Sequence, residues 1–119
     1  MYHIILEDSN ILDYVLYEAL REHIEDEMLG SRMIRCECST DRGTQVWYEL
    51  ETDGIEDVRI VVRNCSDPEK VLDLIKNYKW FVDVDCDDSY YQTVNVYPEI
   101  FDVEQKDNDL IIFINFDIC

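Results

Sequence analysis

Leu12, Leu16, Leu20, Ile24 and Met28 recur at every fourth position, and Ile11, Val15 and Ala19 widen the stripe they make. Only an α-helix gathers a four-residue repeat onto one face, and so broad a stripe needs a second apolar layer to cover it. Asp8, Ser9 and Asn10 are all suitable N-caps ahead of it, and Gly30 suits the left-handed residue that ends it. The remaining chain must supply the cover.

It does so with segments whose apolar residues alternate. Tyr2 to Leu6 reads as a short strand. Met33 to Ser39 places Ile34, Cys36 and Cys38 on one side and Arg35 and Glu37 on the other. Turns at Asp41-Arg42-Gly43 and Thr52-Asp53-Gly54 separate this segment from Val46–Glu51 and then Val58–Arg63, which predicts a three-stranded antiparallel meander. Ser66 and Glu69 have capping-box spacing around Pro68, so a second helix is expected, burying Val71, Leu72, Leu74 and Ile75 and ending near Asn77 or Tyr78. In the last third, Trp80, Val82, Val84 and Cys86 alternate with Phe81, Asp83 and Asp85. Tyr91–Tyr97 follows, closed by Pro98. Ile100–Gln105 is then expected to pair with the very apolar Leu110–Ile118 through the Lys106–Asp109 turn, the last run as a central strand.

The expected order is β-α-βββ-α-ββββ. At 119 residues and 47% hydrophobic the chain can bury one core without staples, so residues 1–119 read as a single α+β domain. A mixed or mainly antiparallel sheet with both helices on one face fits this order best.

Charge sets the functional expectation. Asp and Glu number 28 against 10 Lys and Arg, for a net charge of −18, and self-repulsion on this scale opposes folding. The acid is also segregated. Residues 1–30 carry a net −7 and residues 80–119 a net −9, whereas residues 31–79 carry only −2. Glu25, Asp26 and Glu27 fall in the last turn of the first helix, where the helix dipole favours cations, so local stability does not explain them. Glu18, Glu22, Glu25 and Asp26 would stand about 6 Å apart on adjacent helix ridges. Asp83, Asp85 and Asp87 would stand about 6.6 Å apart along one side of a strand. Such intervals are comparable to those between phosphates in a nucleic acid.

With its acidic helix from Asp13 to Glu27 and its DVDCDD run from Asp83 to Asp88, the chain resembles phage-encoded DNA mimics, the anti-restriction and some anti-CRISPR proteins. The likeness is one of composition and charge placement rather than of a shared motif. It implies an inhibitor that occupies the Lys/Arg-lined nucleic-acid site of a defence enzyme.

Catalytic chemistry finds no support. No Gly-rich phosphate loop occurs, no Ser or Cys has an identifiable base partner, and His3 and His23 are the only histidines, His23 beside the helical stripe in a structural position. An EF-hand beginning at Asp83 would need Gly and Glu where Asp88 and Val94 stand. Cys36-Glu37-Cys38 lacks two further zinc ligands nearby, and the five cysteines read as reduced thiols, most of them core fillers, with Cys119 exposed. The chain is therefore expected to be no enzyme and to use no metal or cofactor. The N-terminus lacks the features of an export signal and no apolar run reaches membrane-spanning length, so a cytoplasmic location is expected, in the host cell if the protein is phage-encoded.

Among the aromatics Trp47, Tyr48, Tyr90, Tyr91 and Tyr97, the two beside the Asp run, Tyr90 and Tyr91, are the expected interface residues. The expected contact set is thus Glu18, Glu22, Glu25, Asp26, Asp83, Asp85, Asp87, Asp88, Tyr90 and Tyr91. The expected partner is a basic, nucleic-acid-binding protein such as a Cas effector, a restriction enzyme or a nuclease toxin, with no direct binding of nucleic acid or membrane. An immunity protein for a cognate nuclease toxin shares this physics. A structural or metal-binding accessory protein is the remaining reading.

Overall fold

The apolar stripe of the first helix is buried as its spacing requires. In the computed structural model, which describes residues 1–8, 13–86 and 90–119, helix α1 runs over Asp13–Met28, and Leu16, Leu20 and Ile24 are fully buried on it. Ser9, Asn10, Ile11 and Leu12, and Asp87 and Asp88 of the expected contact set, lie outside the described residues. Gly30 takes a φ of 83°, the left-handed position expected after the helix.

Among the described residues seven strands form one mixed sheet: β1 (Tyr2–Glu7), β2 (Arg32–Thr40), β3 (Gly43–Glu51), β4 (Val58–Arg63), β5 (Trp80–Cys86), β6 (Tyr91–Lys106) and β7 (Asp109–Ile118), in the spatial order β1-β4-β7-β6-β5-β2-β3. Helix α2 covers Pro68–Lys76. The protein is α+β, but mainly sheet, with β1/β4 and β2/β5 parallel and the other pairs antiparallel. The helix lengths suit their crossings. β1 and β2 lie five strand spacings apart, about 24 Å, and a helix of sixteen residues spans about 24 Å.

Core rows run straight across the sheet. Val58 pairs with Ile114, Ile60 with Ile112 and Val62 with Leu110, and Ile4 adds to the Ile60 row from β1. These residues form one cluster with Leu16, Leu20, Ile24 and Met28 of α1, Val71 and Ile75 of α2, and Val84 and Cys86 of β5. His23 is buried at the rim of the cluster. Its Nε2 donates to the Glu56 carbonyl at 2.9 Å, and its ring stacks on Tyr2 at 4.2 Å. The N-terminal ammonium also pairs with Glu56 and holds that carboxyl below its ordinary value.

Four sequence expectations are corrected. The β2–β3 hairpin forms, but β4 does not continue a meander: it crosses the molecule to insert between β1 and β7, where its fully buried Val58, Ile60 and Val62 reach the core. The last third holds three strands rather than four, because β6 runs unbroken through Pro98. β5 flanks β6 only as far as Val96, so Pro98 sits where β6 has a neighbour on one side alone and its missing N–H is tolerated. A bulge at Phe101, between Ile100 and Asp102, then shifts the β6–β7 register. At α2 the N-cap is Asp67, whose side chain accepts from the Lys70 amide at 3.3 Å, while Ser66 donates instead to Asp8 at 2.9 Å. Of the cysteines only Cys86 is buried; Cys36 and Cys65 are half-buried and Cys38 and Cys119 exposed.

The outline is elongated, 61 × 26 × 22 Å. Among the described residues β2 pairs with β5 only at Arg32–Asp85 and Met33–Cys86, so from Ile34 onward the β2–β3 hairpin continues with no other described strand beside it, as an arm. The β6–β7 hairpin points the opposite way.

Leu20→Ala should cost about 2–5 kcal/mol of unfolding free energy in a denaturant titration, since nothing but core surrounds this side chain. Raising salt from about 0.02 to about 0.5 M should lift the melting temperature by on the order of 5 °C, because screening relieves the net repulsion; a melting temperature that falls with salt would show attraction between charges dominating.

Candidate partner-binding surface

Helix α1 holds its acids outward because its apolar stripe points inward. Glu18, Glu22, Glu25 and Asp26 are all exposed. Glu18 pairs with Arg21 at 2.6 Å, and no basic residue occupies the last turn. Carboxylates there face the negative end of the helix dipole without local compensation.

On β5 the alternation expected from the sequence is realised. Val84 and Cys86 point into the core, so Asp83 and Asp85 project from the opposite face of the sheet, with Phe81. Asp83 accepts a hydrogen bond from Thr93 at 2.9 Å, and Asp85 stands opposite Tyr91 on β6 and Arg32 on β2. The acids of α1 and those of β5 therefore do not merge into one continuous face. Among the described residues they approach at a cleft of ≈310 Å³ bordered by Glu25, Met28, Leu29, Gly30 and Ser31 on one side and by Val82, Asp83, Val84, Asp85 and Tyr91 on the other. A second cleft, of ≈470 Å³, lies across the Leu29–Ser31 turn and is lined by Glu27, Glu51 and Asp53, with Arg32 bonded to Glu51 at 2.8 Å.

Tyr90 and Tyr91 are both exposed, Tyr91 at 71%. Tyr90 lies edge-on to Tyr48 at the base of the arm, with ring centroids 6.2 Å apart. Trp47 is exposed on the arm and donates to Glu49 at 3.2 Å. Tyr48 and Tyr97 are half-buried.

Among the exposed apolar residues that had not been singled out are Leu29 at 86%, Phe81 at 60% and Phe101 at 51%. Phe81 was legible, since it shares the side of β5 that carries Asp83 and Asp85. Phe101 was not, because its outward placement follows from the bulge. Phe101 approaches Phe113 at 6.0 Å beside Ile111, which is buried yet stands apart from the main core.

At the corner of α1, α2 and β5, Tyr78 Oη, Trp80 Nε1 and Arg21 Nε are buried and make no hydrogen bond to the described residues. Burial pushes the Tyr78 phenol well above its ordinary value. The Arg21 guanidinium lies 5.3 Å from the centre of the Trp80 ring. No group of three or more His, Cys, Asp or Glu side chains among the described residues is arranged to hold a metal ion, and no helix among them is long and apolar enough to cross a membrane.

No protein-family model, curated protein or solved structure matches this chain. Any functional reading therefore rests on the chemistry of these surfaces.

Thiol labelling should separate the cysteines. Cys38 and Cys119 should react first and Cys86 last in the folded protein, with Cys65 slower than its half-buried position suggests because burial raises its thiol pKa. Labelling of Cys86 at the rate of Cys38 would contradict the described core.

Proposed function

We propose that this protein is an acidic inhibitor that occupies the basic, nucleic-acid-binding surface of a partner protein, in the manner of a DNA or RNA mimic. The observation that carries the reading is the combination of charge and length. A net −18 on a body 61 Å long averages about one charge per 3.4 Å, the linear density of one strand of a DNA duplex. A groove lined with Lys and Arg to hold a phosphate backbone would attract such a body from a distance, giving fast and salt-sensitive association.

The outer face of α1 and the Asp83–Asp85 face of β5 point in different directions. A partner that embraced the molecule could meet both, whereas a flat partner would meet one. Glu22, Glu25 and Asp26 form the densest uncompensated group on the described surface of α1 and are assigned the principal contact. Tyr91, beside Asp85, offers a ring for stacking where a base would otherwise sit. The partner class that fits is a nuclease or other nucleic-acid-handling enzyme of a defence system.

The test is capture of partners from a host lysate on the tagged protein, elution by a salt gradient, and displacement by DNA or RNA. The expected result is a nucleic-acid enzyme released at moderate salt and displaced by its own substrate. Changing Glu22, Glu25 and Asp26 together to Lys should weaken that complex by roughly tenfold or more while leaving the far-UV spectrum unchanged. A captured partner that nucleic acid fails to displace would overturn mimicry, and unchanged affinity of the triple variant would remove α1 from the contact.

A further inference from the structure

We propose that the open edge of β5 is a slot for an extended basic segment of a partner protein, which adds to the sheet as an extra strand. The proposal deepens the function above and rests on it only for the sign of the partner's charge.

β5 has β6 along one side, but on the other it meets β2 only at Asp85 and Cys86. From Trp80 to Val84 that edge has no strand beside it among the described residues. The end of α1 stands back from it, leaving the ≈310 Å³ cleft. A strand edge offers a row of N–H and C=O groups to any extended chain that fits alongside. The unpaired stretch is five residues, about 17 Å, and the cleft borders it from Val82 onward. Arg32 closes the slot at its C-terminal end by taking the pairing position beside Asp85.

The walls dictate the occupant's pattern. Side chains of an added strand alternate between the two faces of the sheet. On the core side they would meet Met28, Val82 and Val84, with Glu25 at the rim; on the other they would meet Phe81 and Asp83, with Asp85 next along the strand. The fitting segment therefore alternates aliphatic residues with Lys or Arg. The same carboxylates oppose a second copy of this chain, since pairing β5 with β5 would set Asp against Asp.

Other edges are less suited. β1 and β3 are the outer strands of the sheet, but Glu7 on β1 faces Arg63 at 3.7 Å. On β3, Glu51 is paired with Arg32 and Glu49 accepts the Trp47 indole N–H. Among the described residues, neither edge joins a cleft of this kind to acids on alternate positions.

The experiment uses the full chain and a short fluorescent peptide of alternating Lys and Val at low salt, read by anisotropy and by backbone amide exchange. The peptide should bind at one site and protect amides in residues 80–84. N-methylating its alternate amides, in either register, keeps its charge but removes edge donors; the register that faces β5 should lose about tenfold in affinity. Glu25→Gln with Asp83→Asn and Asp85→Asn should weaken binding by a similar factor. Glu69→Gln with Asp73→Asn and Asp107→Asn removes equal charge elsewhere and should change it less than about threefold. Equal binding by all the peptides, or equal loss in the two triple variants, would show general attraction to a polyanion and overturn the slot, as would no binding at all. The peptide arm needs no altered protein, so a variant that misfolds does not blunt the test. Displacement by nucleic acid is not measured here, so failure of the slot and failure of mimicry are read from different experiments.

Discussion

Leu16, Leu20 and Ile24 lie against a sheet whose rows Val58–Ile114, Ile60–Ile112 and Val62–Leu110 are wholly buried, and the rest of the molecule depends on that contact. A chain with a net charge of −18 repels itself at every degree of compaction. Each large aliphatic side chain taken fully out of water contributes about 1.5–3 kcal/mol, whereas an ill-placed surface carboxylate such as those ending α1 costs about 0.3–1 kcal/mol. The core is thus the term that permits an acidic exterior, and the shortage of cations, 10 against 28 acids, matters little, because exposed pairs are worth about 0–1 kcal/mol each.

The same contact sets the shape of the surface. α1 can bury its stripe only by carrying the chain across the sheet from β1 to β2, and this leaves β2 beside the very end of β5. Two features follow among the described residues: an arm of two strands that runs out from the body, and a stretch of β5 with no strand along one side. Glu25 reaches the open stretch because it sits near the end of the helix that made the crossing. The acids that approach each other do so as a consequence of chain routing rather than of their own attraction, which for like charges is negative.

Much of this was legible in local pattern. The stripe on α1, the inward alternation of Val58, Ile60 and Val62, the turn at Asp107 with its φ of 58° and the opposite sides of β5 all follow from periods of about four and two residues and from turn chemistry. The two errors of strand layout share one origin. A short turn after β3 suggested that β4 stays beside it, and Pro98 suggested that β6 ends. Both rules describe neighbours in sequence, and both yielded to partners distant in sequence: β4 gained two flanking strands in the core, and β6 passed Pro98 where no second strand required its N–H. Phe101 came to the surface for the same kind of reason, since a bulge depends on two strands whose registers must be reconciled.

The sequence by itself determined that the chain folds around one apolar core, that its helices and most strands occupy the places they do, and that its exterior is strongly negative. Those properties depend on residue type and local spacing, which are written in order along the chain. Tertiary structure alone decided that the described acids of α1 and β5 face different ways and come together at a cleft. It also decided that, among the described residues, no strand pairs with the edge of β5 beside that cleft. Which surfaces coincide depends on strand order, and strand order is fixed by the burial of long-range pairs such as Ile60 with Ile112, which no local period encodes.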